Sequence, residues 1–174
     1  MREFKPIDPE HVLDDPRLVT STIHPEDPKK TYHLLIEDDY AILATSKYWE
    51  DKSDDEDKWP SEWLHYQLEF PKQGLPWFVD TIEQKFFASD KDGGLPLGVF
   101  HVTEPFGEER LKVQRCFGLT GLESDRQSGF DLTTVDRREH RISKAFSFTD
   151  AALFEMGLFD WFKAQADRIR RGEI

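Results

Sequence analysis

Six histidines, one cysteine and a scatter of serines are the residues of this 174-residue chain that could hold a metal or attack a substrate. Their spacing argues against both. His11, His24, His33, His65, His101 and His140 never fall at the H-x-x-x-H or H-E-x-x-H intervals that put two imidazoles on one helical face. Glu139 and His140 are adjacent, and adjacent strand residues point to opposite faces, so they make a poor dyad. Cys116 is the sole cysteine, which excludes a disulfide framework and a cysteine-rich zinc site. Beside Phe117 on a strand it reads as an inert, buried thiol. Ser46, Ser128 and Ser147 lack the G-x-S-x-G elbow, and neither Gly93-Gly94 nor the glycines of 118–121 form a phosphate loop. No enzyme, cofactor or metal is expected.

Another chemistry is open to the strands. Single-stranded nucleic acid is held by cations on its phosphates and by aromatic faces that stack its bases, at ~1–3 kcal/mol per base. Lys47, Trp49, Trp63 and His65 sit on strand-like stretches in the first half of the chain, and Lys112, Arg115 and Arg141 in the second. If helices cover one face of a sheet, the opposite face is expected to show Thr45, Lys47, Trp49, Trp63, His65 and Gln67, then Lys112, Gln114, Arg141 and Ser143. Arg115 joins them if its strand bulges. The competing reading packs Trp49 and Trp63 on each other, under an N-terminal arm, or in a subunit interface, where Trp is enriched. It pairs the lysines and arginines with the many acids.

The elements that must position these residues are legible from periodicity. Pro6, Pro9, Pro16, Pro25 and Pro28 make residues 1–31 an extended arm, outside the core. Residues 32–37 and 40–49 read as strands about an Asp38-Asp39 turn, and 62–70 alternates with Leu64, Tyr66, Leu68 and Phe70 on one face. Pro71 and Gly74 end that strand, and Leu75, Phe78, Ile82 and Phe86 recur at helical spacing over about 13 residues. Strands return at 97–103, 109–118, 130–135 and 138–148. Thr149 or Asp150 can cap a last helix whose stripe is Phe154, Leu158, Trp161 and Phe162, with Arg168, Arg170 and Arg171 at its C-terminal end.

The chain repeats itself. Sliding it by 76 positions sets Phe70 on Phe146, Phe78 on Phe154, Ile82 on Leu158 and Phe86 on Phe162. The expected fold is α+β: a single compact domain over 32–174, built of two β-β-β(-β)-α units (32–88 and 96–170), with curved antiparallel sheets and two amphipathic helices on one side. Residues 69–86, EFPKQGLPWFVDTIEQKF, resemble the last-strand-to-helix junction of PUR-domain proteins, and more loosely that of the Whirly group and related transcriptional coactivators. The likeness extends as topology over 32–87 and 96–170. It implies single-stranded DNA or RNA binding on the sheet surface away from the helices, by a homodimer. The chain departs from PUR domains in being more acidic and in showing one fewer clear strand in its first unit.

Charge points the other way. The net charge is −12, and residues 50–58, EDKSDDEDK, hold six acids against two lysines and read as a solvated loop. An acidic surface steers a basic partner, so the second reading is a protein-interaction module, such as an inhibitor, an immunity protein or a structural partner, that binds no nucleic acid. An enzyme with an unrecognised site would need a deep pocket of convergent polar groups. No apolar run approaches the ~20 residues of a membrane span. The N-terminal residues lack the h-region of a secretory signal, so a cytoplasmic location is expected.

Overall fold

A computed structural model describes residues 1–50, 59–120, 126–139 and 141–174. The acidic stretch expected as a solvated loop lies outside these residues from 51 to 58, as do Gly121 and His140. The order of elements is β1 (Leu18–His24), β2 (Asp27–Glu37), β3 (Tyr40–Trp49), β4 (Glu62–Pro71), α1 (Gly74–Thr81), β5 (His101–Phe106), β6 (Glu109–Thr120), β7 (Arg126–Glu139), β8 (Ile142–Thr149) and α2 (Leu158–Arg170). Among the described residues β1–β4 form one antiparallel sheet and β5–β8 a second, each in sequence order and each followed by a helix. This is the duplicated α+β plan, with four strands in each unit. No helix among the described residues is long and apolar enough to cross a membrane.

The first strand corrects the reading of the N-terminal arm. Leu18–His24 pairs with β2, so residues 1–31 are not an arm outside the core. The prolines hid it: Pro16 and Pro25 only bracket the strand, and Pro28 sits near the start of β2, where a missing amide costs least. Residues before β1 also pack. Ile7 and Val12 are buried with Leu35, Ile42 and Ala44, and Phe4 and Leu18 lie against them. Two other boundaries shift. The strand expected at 97–103 runs instead over His101–Phe106. Arg138 belongs to β7, and Arg141 lies in the turn before β8 with φ 72°.

The strand-to-helix junctions are where the repeat is physical. Phe70 ends β4 and Phe146 lies on β8, and both face one cluster shared by the two sheets and both helices. Phe78 of α1 meets Phe148 and Phe162, with ring centroids 5.8 and 5.6 Å apart. The thirteen-residue helix expected after Gly74 is α1 followed by a π-helical turn, Ile82–Phe86. In the second unit the π turn comes first, Ala151–Glu155, with the Thr149 hydroxyl accepting the Ala152 amide as expected of a cap (3.0 Å). Gly157, with φ 82°, then reverses the chain into α2, a conformation a side chain would strain. The changed order of turn and helix shifts the stripe. Leu158, Phe159, Phe162, Ala166 and Ile169 are buried, while Phe154 is partly exposed and Trp161 half-buried. Arg170 ties the helices by donating to Asp80 of α1 (2.6 Å).

Further polar ties cross between the units, two of them centred on buried carboxylates. Arg137 on β7 and Glu109 on β6, with 7% and 6% of their side chains exposed, form a two-point ion pair (2.7 Å each). The Tyr40 hydroxyl of β3 donates to the same Glu109 carboxylate (2.7 Å), and Arg137 donates to the Arg2 carbonyl (2.8 Å). The second tie is a chain: the Ile7 amide donates to Gln67, Gln67 to Glu69, and Lys144 of β8 to both oxygens of Glu69. Removing one partner of a buried pair leaves an uncompensated charge. Glu109→Gln is expected to destabilise by ~3–5 kcal/mol in urea denaturation, and Glu109→Gln with Arg137→Met by less than the two single losses added.

Buried histidines add a pH dependence. His33, between the hydroxyls of Ser21 (2.8 Å) and Ser46 (2.7 Å), is held down to about 4 by burial. His24, stacked on Tyr32, is lowered to about 4 by burial and then by Lys30. An unfolded chain takes up these protons near pH 6.5, so between about 6.5 and 4 it binds more protons than the folded one. Stability is therefore expected to fall as pH drops through that window, and less steeply in His33→Asn. A urea midpoint that stays flat from pH 7 to 5 counts against it.

Candidate functional site

Register decides which of the expected binding residues share a surface. In β3 and β4, Leu43 pairs with Leu68, Lys47 with Leu64 and Trp49 with Glu62. These lie on the face that carries the main core. Tyr48 pairs with Trp63, Ser46 with His65 and Ala44 with Gln67 on the other face. Trp49 and Trp63 thus stand on opposite faces, as do Lys47 and His65. Leu43 rather than Ile42 faces the helices, and Ile42 faces the N-terminal residues. The sheet was expected to have one covered face, but both are apolar at one end, so Lys47 and Trp49 fall with the wrong partners.

Lys47, Lys112 and Arg115 are engaged. Lys47 Nζ donates to Asp27 (2.7 Å). Lys112, on the helix-free face of the second sheet, donates to Gln114 (2.8 Å). Arg115 lies on the core-side face with Val113. Its guanidinium forks onto Asp150 (2.5 and 2.6 Å) and lies 4.7 Å over the Phe130 ring. Arg141 is exposed in its turn, far along the sequence from either tryptophan. On the outer end of the first sheet, Tyr48, Trp63 and His65 remain exposed, with the Tyr48 and Trp63 rings 5.4 Å apart.

A different surface gathers the exposed aromatics. Where α1 runs into its π turn, Phe86 and Phe87 are neighbours, so only one of them can face the core. Phe86 packs on Phe130 and Phe87 is left 58% exposed. Phe117 keeps the phase of Val113 and Arg115 on β6 but lies further along the strand, just before a bulge at Gly118, and is 67% exposed. Phe100 meets it edge-on at 5.6 Å and is 50% exposed. Phe154 meets Phe87 at 5.2 Å, and Leu97 projects fully into solvent. A cleft of about 360 Å³ opens among Phe86, Phe87, Leu97, Phe100 and Phe117, with Phe130 and Arg115 at its base. Of these residues only Arg115 was singled out from spacing as a binding residue; none of the aromatics was. The signals present were the doubled Phe86-Phe87 and the glycine beside Phe117.

Other chemistry is not assembled. The Cys116 thiol is pushed up to about 12, first by burial and then by Asp131, which makes it a poor nucleophile at neutral pH. Among the described residues no three His, Cys, Asp or Glu side chains come together as metal ligands. A second cleft, about 600 Å³, lies beside Arg2, Tyr40, Lys72 and Glu108, but the Tyr40 hydroxyl and the Glu109 carboxylate there are spent on each other and on Arg137. No protein-family model, no curated protein and no solved structure matches this chain.

Proposed function

We propose that this chain is a non-enzymatic protein-interaction module that engages its partner through the aromatic cleft. One observation carries the reading: Phe87, Phe100 and Phe117 lie exposed around an open cleft, Phe100 in ring contact with Phe117 and Phe87 with the exposed Phe154 beside it, on a chain of net charge −12. Exposed apolar surface costs ~25 cal/mol for each Å², so a contiguous aromatic patch implies an occupant. Aromatic side chains are also the residues that anchor protein interfaces, because they bury much area with little loss of rotamer freedom. The acidic body supplies steering toward a basic partner and discourages polyanions.

Single-strand binding has a narrower support, the exposed Tyr48, Trp63 and His65 on the outer end of the first sheet. The two readings separate in one pair of measurements. Peptides selected from an unbiased display library on the wild-type protein are expected to lose about tenfold or more in affinity for Phe100→Ser with Phe117→Ser, the cost of removing two aromatic anchors. A labelled oligonucleotide of ~20 nucleotides, a length that spans a single-strand site, is expected to show no saturable anisotropy change. Saturable, salt-weakened oligonucleotide binding that is lost in Trp63→Ala, with no peptide selected, overturns the protein-binding reading.

A further inference from the structure

The aromatic cleft adjoins a strand edge. β5 is the first strand of its sheet, with β6 as its hydrogen-bonded neighbour. The Arg115 amide donates to the Phe100 carbonyl (2.7 Å), and His101 lies opposite Gln114. In an antiparallel ladder this phase directs the backbone groups of Phe100, Val102, Glu104 and Phe106 toward β6. Those of His101, Thr103 and Pro105 point outward. Pro105 has no amide, so it blunts that end of the edge. The outward amides of His101 and Thr103 remain, next to Phe100 and the cleft. Four of the six β5 side chains are exposed.

Charge selects the kind of strand that fits. Glu104 and Glu108 stand exposed on and beside β5. The cations at the cleft are already engaged, Lys85 by the Gly93 carbonyl and Arg115 by Asp150. A second copy of this chain would set −12 against −12. We infer that β5 accepts an extended segment of a basic protein partner as an added strand. The segment's Lys or Arg side chains lie by Glu104 and Glu108, and one large apolar side chain seats in the cleft against Phe100 and Phe117. Main-chain bonds supply affinity in this mode, and the pocket for alternate side chains supplies specificity. The inference rests on the protein-binding reading above and specifies its partner.

The test uses a fluorescent ten-residue peptide in which Lys alternates with Val around a central Phe, titrated with the full chain at low and moderate salt. Saturable binding that weakens with salt is expected. N-methylation of alternate peptide amides, or Thr103→Pro in the protein, is expected to weaken it about tenfold, the loss from deleting one or two main-chain hydrogen bonds. The methylated peptide is read on the unaltered protein, so misfolding of the variant cannot mimic the result. Equal binding of methylated and unmethylated peptide overturns strand addition and leaves docking in the cleft alone. No binding of either peptide overturns it as well, while library selection at the aromatic surface keeps the broader reading alive. A homodimer in sedimentation that dissociates in Thr103→Pro makes the occupant a second copy and overturns the basic partner.

Discussion

The buried pair of Glu109 and Arg137 is the constraint around which the two units are joined. Two charges almost removed from water are tolerable only when their remaining donors and acceptors are met. Here the meeting groups come from distant places: the Tyr40 hydroxyl from the first sheet and the Arg2 carbonyl from the N-terminal residues. Arg2 and Arg137 both lie over the Phe4 ring, at 4.9 and 5.0 Å. Arg2 in turn holds Glu37 and Asp38 at the β2–β3 turn. One carboxylate on β6 thereby fixes how the N-terminal residues, the first sheet and the second sheet sit together. The bulge in β7 between Thr134 and Arg138 is where Arg137 leaves the ladder to reach it.

Much of the fold was legible because its signals are local. Alternation on β4 placed Leu64, Tyr66, Leu68 and Phe70 on one face, and register confirms it. Pro71 and Gly74 marked the end of β4, and the doubled strand-to-helix junction announced two units. What failed has two sources, one local and one remote in sequence. β1 was hidden among prolines, although Val19, Thr20, Thr22 and Ile23 favour a strand and pair locally with β2. The face of β3 was misassigned because both of its faces carry apolar residues: Leu43 meets the helices, while Ile42 and Ala44 meet Ile7 and Val12. Alternation alone does not say which apolar face is which.

The candidate site was the least legible part, for the same reason. Exposed Phe87 and Phe117 belong to elements read correctly as helix and strand. Phe87 directly follows a π turn, and Phe117 lies just before a bulge near the end of its strand, on the core-side face with Val113. Alternation tells which face a residue is on, not where along the strand that face stops being covered. The lysines and arginines singled out from the strands were legible as residues but not as free charges, since Asp27 and Asp150 lie far from Lys47 and Arg115 in sequence.

The shared core has one more consequence. Phe78 of the first unit packs on Phe148 and Phe162 of the second, and Tyr32 and Tyr66 pack on Phe146. Neither unit closes the main hydrophobic interior by itself. A severed half would show to water the same side chains that now meet across the midline, and would have to find a counterpart chain to cover them. The linker between the halves turns that search into an encounter within one molecule, so assembly does not depend on protein concentration.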